Sequence, residues 1–324
     1  MKILITGIAG FVGKHLASFL LNKGENNIAG IDLDFKNFNS GSGLSGEIEL
    51  IKIDLTDSDR VFDVIKKFKP DQIYHLAAQS SVGYSWENPL ETFRINVFGG
   101  INILEGIRMY NPGCRLIAAC TAEEYGETED EDKAIDENFS IYPENPYAVS
   151  KSSLDFLCSI YYKAYGLDVF TARSFNLTGP GQSEGFVASD FAKQVALIEE
   201  GMQEPLIEVG NLEAYRDFLD VRDAVRAYYY ILDRGKGNRI YNICSGEKRK
   251  ISELLDMLLS MSKKDGIEVK IDRSKFRALD VRIMYGSNRK LREHTEWSPD
   301  YSIEDSLGDI LDYWRQKIIQ AKNE

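Results

Sequence analysis

Unbroken apolar runs and amphipathic stretches alternate along the first half of the chain. Ile3, Leu4 and Ile5 show no polar alternation, as expected of a strand buried on both faces of a parallel sheet. Phe11 to Asn22 follows with apolar residues at helical spacing. The same rhythm predicts strands over 27–31, 48–53, 71–76, 115–119 and 168–174. It predicts helices over 57–68, 90–110 and 147–165, punctuated by Lys69-Pro70, Asn88-Pro89, Asn111-Pro112-Gly113 and Asn145-Pro146. Regular strand–helix alternation implies an α/β fold, a doubly wound parallel sheet of the Rossmann type.

The rhythm changes after Asn176. A glycine-rich polar loop is expected over Thr178–Ser183, then helices over 187–200, 220–233, 251–262 and 307–322. Short extended pieces fall at 206–209, 240–243 and 267–271. This predicts a nucleotide-binding domain of residues 1–176 plus about 211–245. About 177–210 and 246–324 then form a smaller, discontinuous C-terminal α/β lobe for a substrate. The polar Asn37–Ser45 stretch reads as a surface loop.

Two patterns carry chemistry. Gly7, Gly10 and Gly13 sit between the first strand and the first helix, spaced Gly-x-x-Gly-x-x-Gly. Gly7 suits the tight turn, Gly10 the close approach of a pyrophosphate to backbone N–H groups, and Gly13 the packing of helix on strand. Asp32 ends the next strand, about twenty residues on, where a carboxylate binds an adenosine ribose. Ala77 and Ala78 are small enough to leave room for a cofactor after the fourth strand. The second pattern is Tyr147-Ala-Val-Ser-Lys151. Four residues apart on a helix, phenol and ammonium share a face. The ammonium is expected to pull the phenol pKa down, towards neutral pH.

Composition narrows the class. Of 324 residues 43% are hydrophobic and 28% charged, as in an ordinary globular protein. A net charge of −12 argues against non-specific binding to nucleic acid or anionic membranes, though local arginines can still hold an anionic small molecule. No apolar run is long enough to cross a bilayer, and the N-terminus leads directly into a strand, so no signal peptide is expected. Cys114, Cys120, Cys158 and Cys244 lack metal-like spacing and read as buried free thiols in a reducing cytoplasm. His15, His75 and His294 are too scattered for a metal site.

Thr6–Gly13, Asp32, Asp54, His75–Ala78 and Tyr147–Lys151 together resemble the extended short-chain dehydrogenase/reductase family, whose members act on nucleotide sugars. The resemblance covers essentially the whole chain. Asn176–Gln182, Gly185–Lys193 and Gly210–Asp223 are similar to segments of GDP-6-deoxy-4-keto-D-mannose reductases, with GDP-mannose 4,6-dehydratases as relatives. The resemblance implies that Gly7, Gly10, Phe11, Val12, Gly13, Asp32, Asp54, Leu55, Leu76, Ala77 and Ala78 bind the dinucleotide. It implies hydride delivery to a C4 ketone, with Tyr147 giving the proton and Thr121 a hydrogen bond. Lys151 then holds the nicotinamide ribose. Asn176, Lys193, Arg216 and Arg277 match positions around GDP phosphates and base, and Asp280 one near its ribose. Asp220 and Asp223 are read as structural.

Departures from the pattern keep alternatives open. Asp32 and Asp34 would repel a 2′-phosphate, so NAD(H) is preferred on physical grounds, with NADP(H) as the alternative. Thr121-Ala-Glu123 resembles the Thr-x-Glu of the dehydratases, where the glutamate removes a proton. Ala278 stands where a proline usually follows the arginine. A 4,6-dehydratase or an epimerase recycling bound NAD is the alternative to a reductase, and a non-catalytic nucleotide sensor the third reading. A homodimer is expected through a four-helix bundle of 90–110 and 147–165, because the second helix carries large apolar or aromatic residues on more than one face.

Overall fold

The computed structural model describes residues 1–39, 48–127, 133–236, 239–276 and 279–323. Six strands come first: β1 (Ile3–Thr6), β2 (Ile28–Asp32), β3 (Ile48–Lys52), β4 (Gln72–His75), β5 (Arg115–Thr121) and β6 (Val169–Ser174). Eight follow: β7 (Asn176–Thr178), β8 (Leu206–Val209), β9 (Tyr215–Arg216), β10 (Phe218–Asp220), β11 (Arg239–Ile243), β12 (Arg249–Lys250), β13 (Glu268–Ile271) and β14 (Ile283–Met284). Seven of these make one parallel sheet, ordered β11-β6-β5-β4-β1-β2-β3. The order reverses between β1 and β4, and a crevice opens beyond the carboxyl ends of those strands, where ligands of such sheets bind.

Burial explains why these runs are strands. Ile3, Leu4 and Ile5 are fully buried, with Ile3 and Ile5 in the core on one sheet face and Leu4 in the core on the other. Each such side chain contributes about 1.5–3 kcal/mol by leaving water. The first core is closed by helices Phe11–Asn22 and Val221–Arg234, the second by Ser58–Phe68, Gly99–Tyr110 and Pro146–Tyr165. Among the described residues no helix is long and apolar enough to cross a membrane.

A third core lies away from the sheet. Helix Val187–Glu199 packs against Ile303–Asn323, and Leu307, Ile310, Leu311, Trp314 and Ile318 fill the space between them and helix Ile251–Ser260. Trp314 Nε1 donates to Ser189 Oγ at 3.0 Å. Asp223 accepts the backbone N–H groups of Asp300 and Tyr301, and Ser306 Oγ donates to Asp220 at 2.6 Å. The two aspartates thus hold the last helix in place.

The second half also contains short pieces. β10 pairs with β7, β13 with β8, and β12-β9-β14 form a small sheet. The loop expected from Thr178 therefore starts one residue later, because β7 runs through Thr178 under the pull of β10. Lys36–Asn39 is a helical turn, and the rest of the polar Asn37–Ser45 stretch lies outside the described residues.

The helix expected over 90–110 is not continuous. Helices Val82–Glu87 and Pro89–Phe93 precede a wide π-helical turn, Arg94–Phe98, and Gly99–Tyr110 resumes the α-helix. The wide turn seats Asn96 inward. Its side chain accepts from Gln79 N at 2.8 Å and donates to Gln79 O at 3.0 Å and Ser150 Oγ at 2.9 Å. The irregular turn thereby ties the loop after β4 to the helix that carries Tyr147.

Candidate active site

A cleft of about 1510 Å³ runs along the carboxyl ends of the sheet strands, between the sheet and the second-half segments. Its floor is the turn after β1. Gly7 has φ +74°, and a Cβ there would lie 2.7 Å from Ala77 N. A Cβ on Gly13 would lie 2.2 Å from Gly7 O. Turn, helix start and the strand-end loop after β4 therefore pack backbone to backbone. Thr6 Oγ1 bonds His75 Nδ1 at 2.8 Å and accepts from Ala77 N at 3.3 Å, linking β1 to that loop.

Gly10, Phe11, Val12, Leu76, Ala77 and Ala78 line the same stretch of wall. At one end Asp32 Oδ2 accepts from Ala9 N at 2.9 Å and Oδ1 from Leu33 N at 2.8 Å. Burial pushes its pKa up, against the pull of these amides. Asp54 and Leu55 also face the cleft. Asp54 accepts from Thr56 and lies 3.4 Å from Arg94, which grips Glu91 with two bonds of 2.7 Å. Arg94 and Glu91 were not anticipated from sequence. Their i,i+3 spacing is visible, but nothing in it indicates a cleft.

Further along lie Thr121, Glu123, Tyr147 and Lys151. Thr121 ends β5 and caps the short turn Ala122–Glu124: its Oγ1 accepts from Glu123 N at 3.2 Å, and its own N–H donates to Glu124 Oε1 at 3.0 Å. Asn145 caps the helix Pro146–Tyr165 by accepting from Ala148 N at 2.8 Å, and its Nδ2 donates to Glu123 Oε2 at 3.1 Å. The Asn-Pro pair marks the helix start in the sequence, but its hold on Glu123 depends on a contact 22 residues back.

Tyr147 and Thr121 both line the cleft, and the Thr121 side chain favours the Tyr147 phenolate. Burial raises the Tyr147 pKa rather than lowering it, so the phenol is protonated at neutral pH. Lys151, 3% exposed, donates to the Ala119 carbonyl at 2.7 Å, and its own pKa is lowered by burial. The expected downward shift is not found: desolvation of the phenolate, with the nearby Glu123, sets the direction. A phenol held protonated beside a hydroxyl donor can give a proton to an oxygen placed between them.

On the far wall stand Asn176, Arg216, Phe186, Ser274, Phe276 and Leu279. Arg216 is buried, and its Nη2 donates to Asp280 Oδ1 at 2.7 Å, while Asn211 holds Oδ2 at 2.8 Å. Asn176 Nδ2 donates to the Asp217 carbonyl at 3.3 Å. Lys193 does not line the cleft. It pairs with Glu184 at 2.8 Å and lies 5.5 Å from the Trp314 ring. Arg277 and Ala278 lie outside the described residues. Phe186, Phe276 and Leu279 were missed because a lone exposed apolar residue has no sequence signature.

The cleft suits a nicotinamide dinucleotide. The cradle around Gly7 and Gly13 is one that a Cβ would fill, the walls behind it are small, and a carboxylate stands at the end of β2.

Comparison with known proteins agrees. The model of the family described as GDP-mannose 4,6 dehydratase matches residues 4–310. The GDP-6-deoxy-D-mannose reductase of Pseudomonas aeruginosa is 32% identical over 321 residues, covering 98% of each chain. The solved structure of RMD from Pseudomonas aeruginosa complexed with NADPH superposes with a TM-score of 0.85 at 31% identity, over 98% of this chain and 100% of that one. A UDP-glucose 4-epimerase from Thermotoga maritima, solved with UDP-glucose, gives 0.88 at 26% identity, over 98% and 100%. The chain belongs to the GDP-mannose 4,6-dehydratase family, within the extended short-chain dehydrogenases/reductases.

Proposed function

We propose that the chain is a nucleotide-sugar oxidoreductase that reduces the C4 ketone of GDP-4-keto-6-deoxy-D-mannose. The observation that carries this reading is the Tyr147 phenol, kept protonated by burial and lining, with Thr121, the cleft that begins at the glycine turn. The likeness to a reductase over nearly the full length supports it. A reduced nicotinamide, when bound, supplies the hydride. Tyr147 holds the proton for the ketone oxygen, and Thr121 hydrogen-bonds that oxygen. Lys151 orients the cofactor ribose from the Tyr147 face of the helix. Gly7, Gly10, Phe11, Val12 and Gly13 bind the pyrophosphate, Asp32 the adenosine ribose, and Asp54 with Leu55 the adenine. Leu76, Ala77 and Ala78 close the wall behind it. Asn176 and Arg216 take the sugar diphosphate. On the resemblance alone, Arg277 is assigned to the GDP phosphates and base and Asp280 to the GDP ribose; Lys193, paired with Glu184 outside the cleft, would have to leave that partner to join them.

Asp32 gives NAD(H) the advantage over NADP(H), because a 2′-phosphate would meet a carboxylate already packed against backbone. The related RMD structure holds NADPH, so a titration with both cofactors bears directly on this point.

Glu123 supports a second reading. It faces the cleft and is held by Asn145, where it could remove a proton as in a 4,6-dehydratase. Two incubations separate them. Consumption of NADH or NADPH with the 4-keto-6-deoxy sugar supports the reductase. Keto-sugar formed from GDP-mannose without added reductant supports the dehydratase and overturns the first reading.

The same proposal includes a homodimer. Leu90, Phe98, Phe156, Ile160 and Tyr165 are exposed, Leu90 at 87%, on the two helical regions named for the bundle. Sedimentation at micromolar concentration tests it, and a fully active monomer would remove it.

A further inference from the structure

Behind Thr121, outside the cleft lining, three ionisable side chains are buried together. Glu124, Asp155 and Arg173 are each no more than 2% exposed. They come from the turn after β5, from the helix Pro146–Tyr165 and from β6. Asp155 lies one helical turn beyond Lys151 and two beyond Tyr147, so all three sit on one helix face.

The donors are unevenly shared. Asp155 accepts three: Thr171 Oγ1 at 2.9 Å, Arg173 Nε at 2.9 Å and Arg173 Nη2 at 2.6 Å. Glu124 accepts one, the Thr121 N–H, on Oε1. Among the described residues no hydrogen-bond donor reaches its buried Oε2. Arg173 Nε is 3.3 Å away, but its N–H is directed at Asp155. Two carboxylates around one guanidinium would leave a surplus buried charge, which proteins relieve by protonation. The acid left without a donor is the one that keeps the proton.

We propose that Glu124 is a neutral carboxylic acid that donates from Oε2 to Asp155 and, by holding the Thr121 amide on Oε1, positions Thr121 against Tyr147. It is a positioning residue, and the proposal rests on the reductase reading for its kinetic consequences only. Burial beside Asp155 pushes the Glu124 pKa up to about 8. Arg173 and Lys151 attract its ionised form, but burial and Asp155 outweigh them. Cys120, Cys158, Tyr125 and Tyr147 are kept neutral by burial. Lys151 is directed to the Ala119 carbonyl, and Glu123 adds negative charge on the cleft side. Loss of the proton sets two carboxylates against each other beneath Thr121, and turnover falls on the alkaline side.

Three preparations test this: the full-length wild type, Glu124→Gln and Glu124→Leu. Gln retains an acceptor for the Thr121 amide and a donor for Asp155. Leu removes both and leaves Arg173 and Asp155 as a matched pair, so the fold persists. The expected result is a kcat within about threefold of wild type for Gln, and a fall of about tenfold or more for Leu with KM little changed. The decline of kcat above about pH 8 should be present in wild type and absent in Gln. A wild-type kcat in Leu, or the same alkaline decline in Gln, overturns the proposal. Infrared difference spectra of wild type minus Gln give a second readout that needs no substrate. A protonated carboxyl band at about pH 6 that vanishes by about pH 10 supports the assignment, and its absence at the lower pH overturns it. If wild type reduces no ketone, the reductase reading fails while the infrared result still decides the proton on Glu124.

Discussion

The two walls of the cleft are held in different ways. On the sheet side the parts are fixed by backbone packing: Gly13 has no room for a Cβ against Gly7 O, Gly7 none against Ala77, and Asp32 is clamped by two amides. On the far side the parts are held by charged side chains from distant segments. Arg216 is tied to Asp280, 64 residues away, and Asp280 in turn to Asn211. A backbone cradle suits a ligand of constant shape. An ion pair can exchange partners, so the Arg216 fork can release Asp280 and take a diphosphate. The difference teaches that one wall of the cleft is fixed by backbone and the other by exchangeable side-chain pairs, which under the proposed function face the cofactor and the substrate.

The contrast can be broken most severely at the residue between the walls. Tyr147→Phe should lower kcat by about 100-fold or more and leave cofactor titration nearly unchanged. Near-normal turnover would remove Tyr147 as the proton source. On the rigid wall, Gly13→Ala forces a methyl into a 2.2 Å gap and should destabilise the protein by about 1–3 kcal/mol. Weaker cofactor binding should accompany this in the same denaturation and titration experiments. An unchanged unfolding midpoint would show that the cradle yields after all.

On the adjustable wall, Arg216→Ala should raise the KM for the GDP-sugar about tenfold, the worth of one charge-assisted bond, while the unfolding midpoint moves little. A large loss of stability with no change in KM would make the ion pair a structural clamp. The smallest effect is expected at the end of β2. Asp32→Ala should narrow the ratio of NADH to NADPH affinity by about three- to tenfold in direct titration. Tighter binding of NADPH than NADH by the unaltered protein would reverse the assignment.

The rigid wall was the legible one. Gly7, Gly10, Gly13 and Asp32 obey spacings along a continuous strand–turn–helix–strand, and Tyr147 and Lys151 obey the helical repeat. Local geometry projects directly onto sequence there. The far wall is assembled from β9 and β14, two-residue strands too short to show any period, and from a pairing between Arg216 and Asp280 that spacing cannot predict. The role of Asn145 was half legible: its helix cap is local, its bond to Glu123 is not. The wide turn at Arg94–Phe98 had no signal because Asn96 reads as an ordinary polar residue until the loop at Gln79 folds against it. The phenol of Tyr147 was misjudged in sign because burial, which spacing does not reveal, raises its pKa.

The last helix bears on how the chain reaches this arrangement. Ile303–Asn323 supplies the core that covers Val187–Glu199, and Trp314 bonds Ser189 across 125 residues. During synthesis the apolar face of that earlier helix must wait for more than a third of the polypeptide to emerge. The parallel sheet also depends on a late strand, since β11 lies at its edge beside β6. Closing loops of this length is slow, and the exposed face is open to misassociation in the interval. Nascent chains are therefore expected to need chaperone protection in the window between release of Val187–Glu199 and arrival of Trp314.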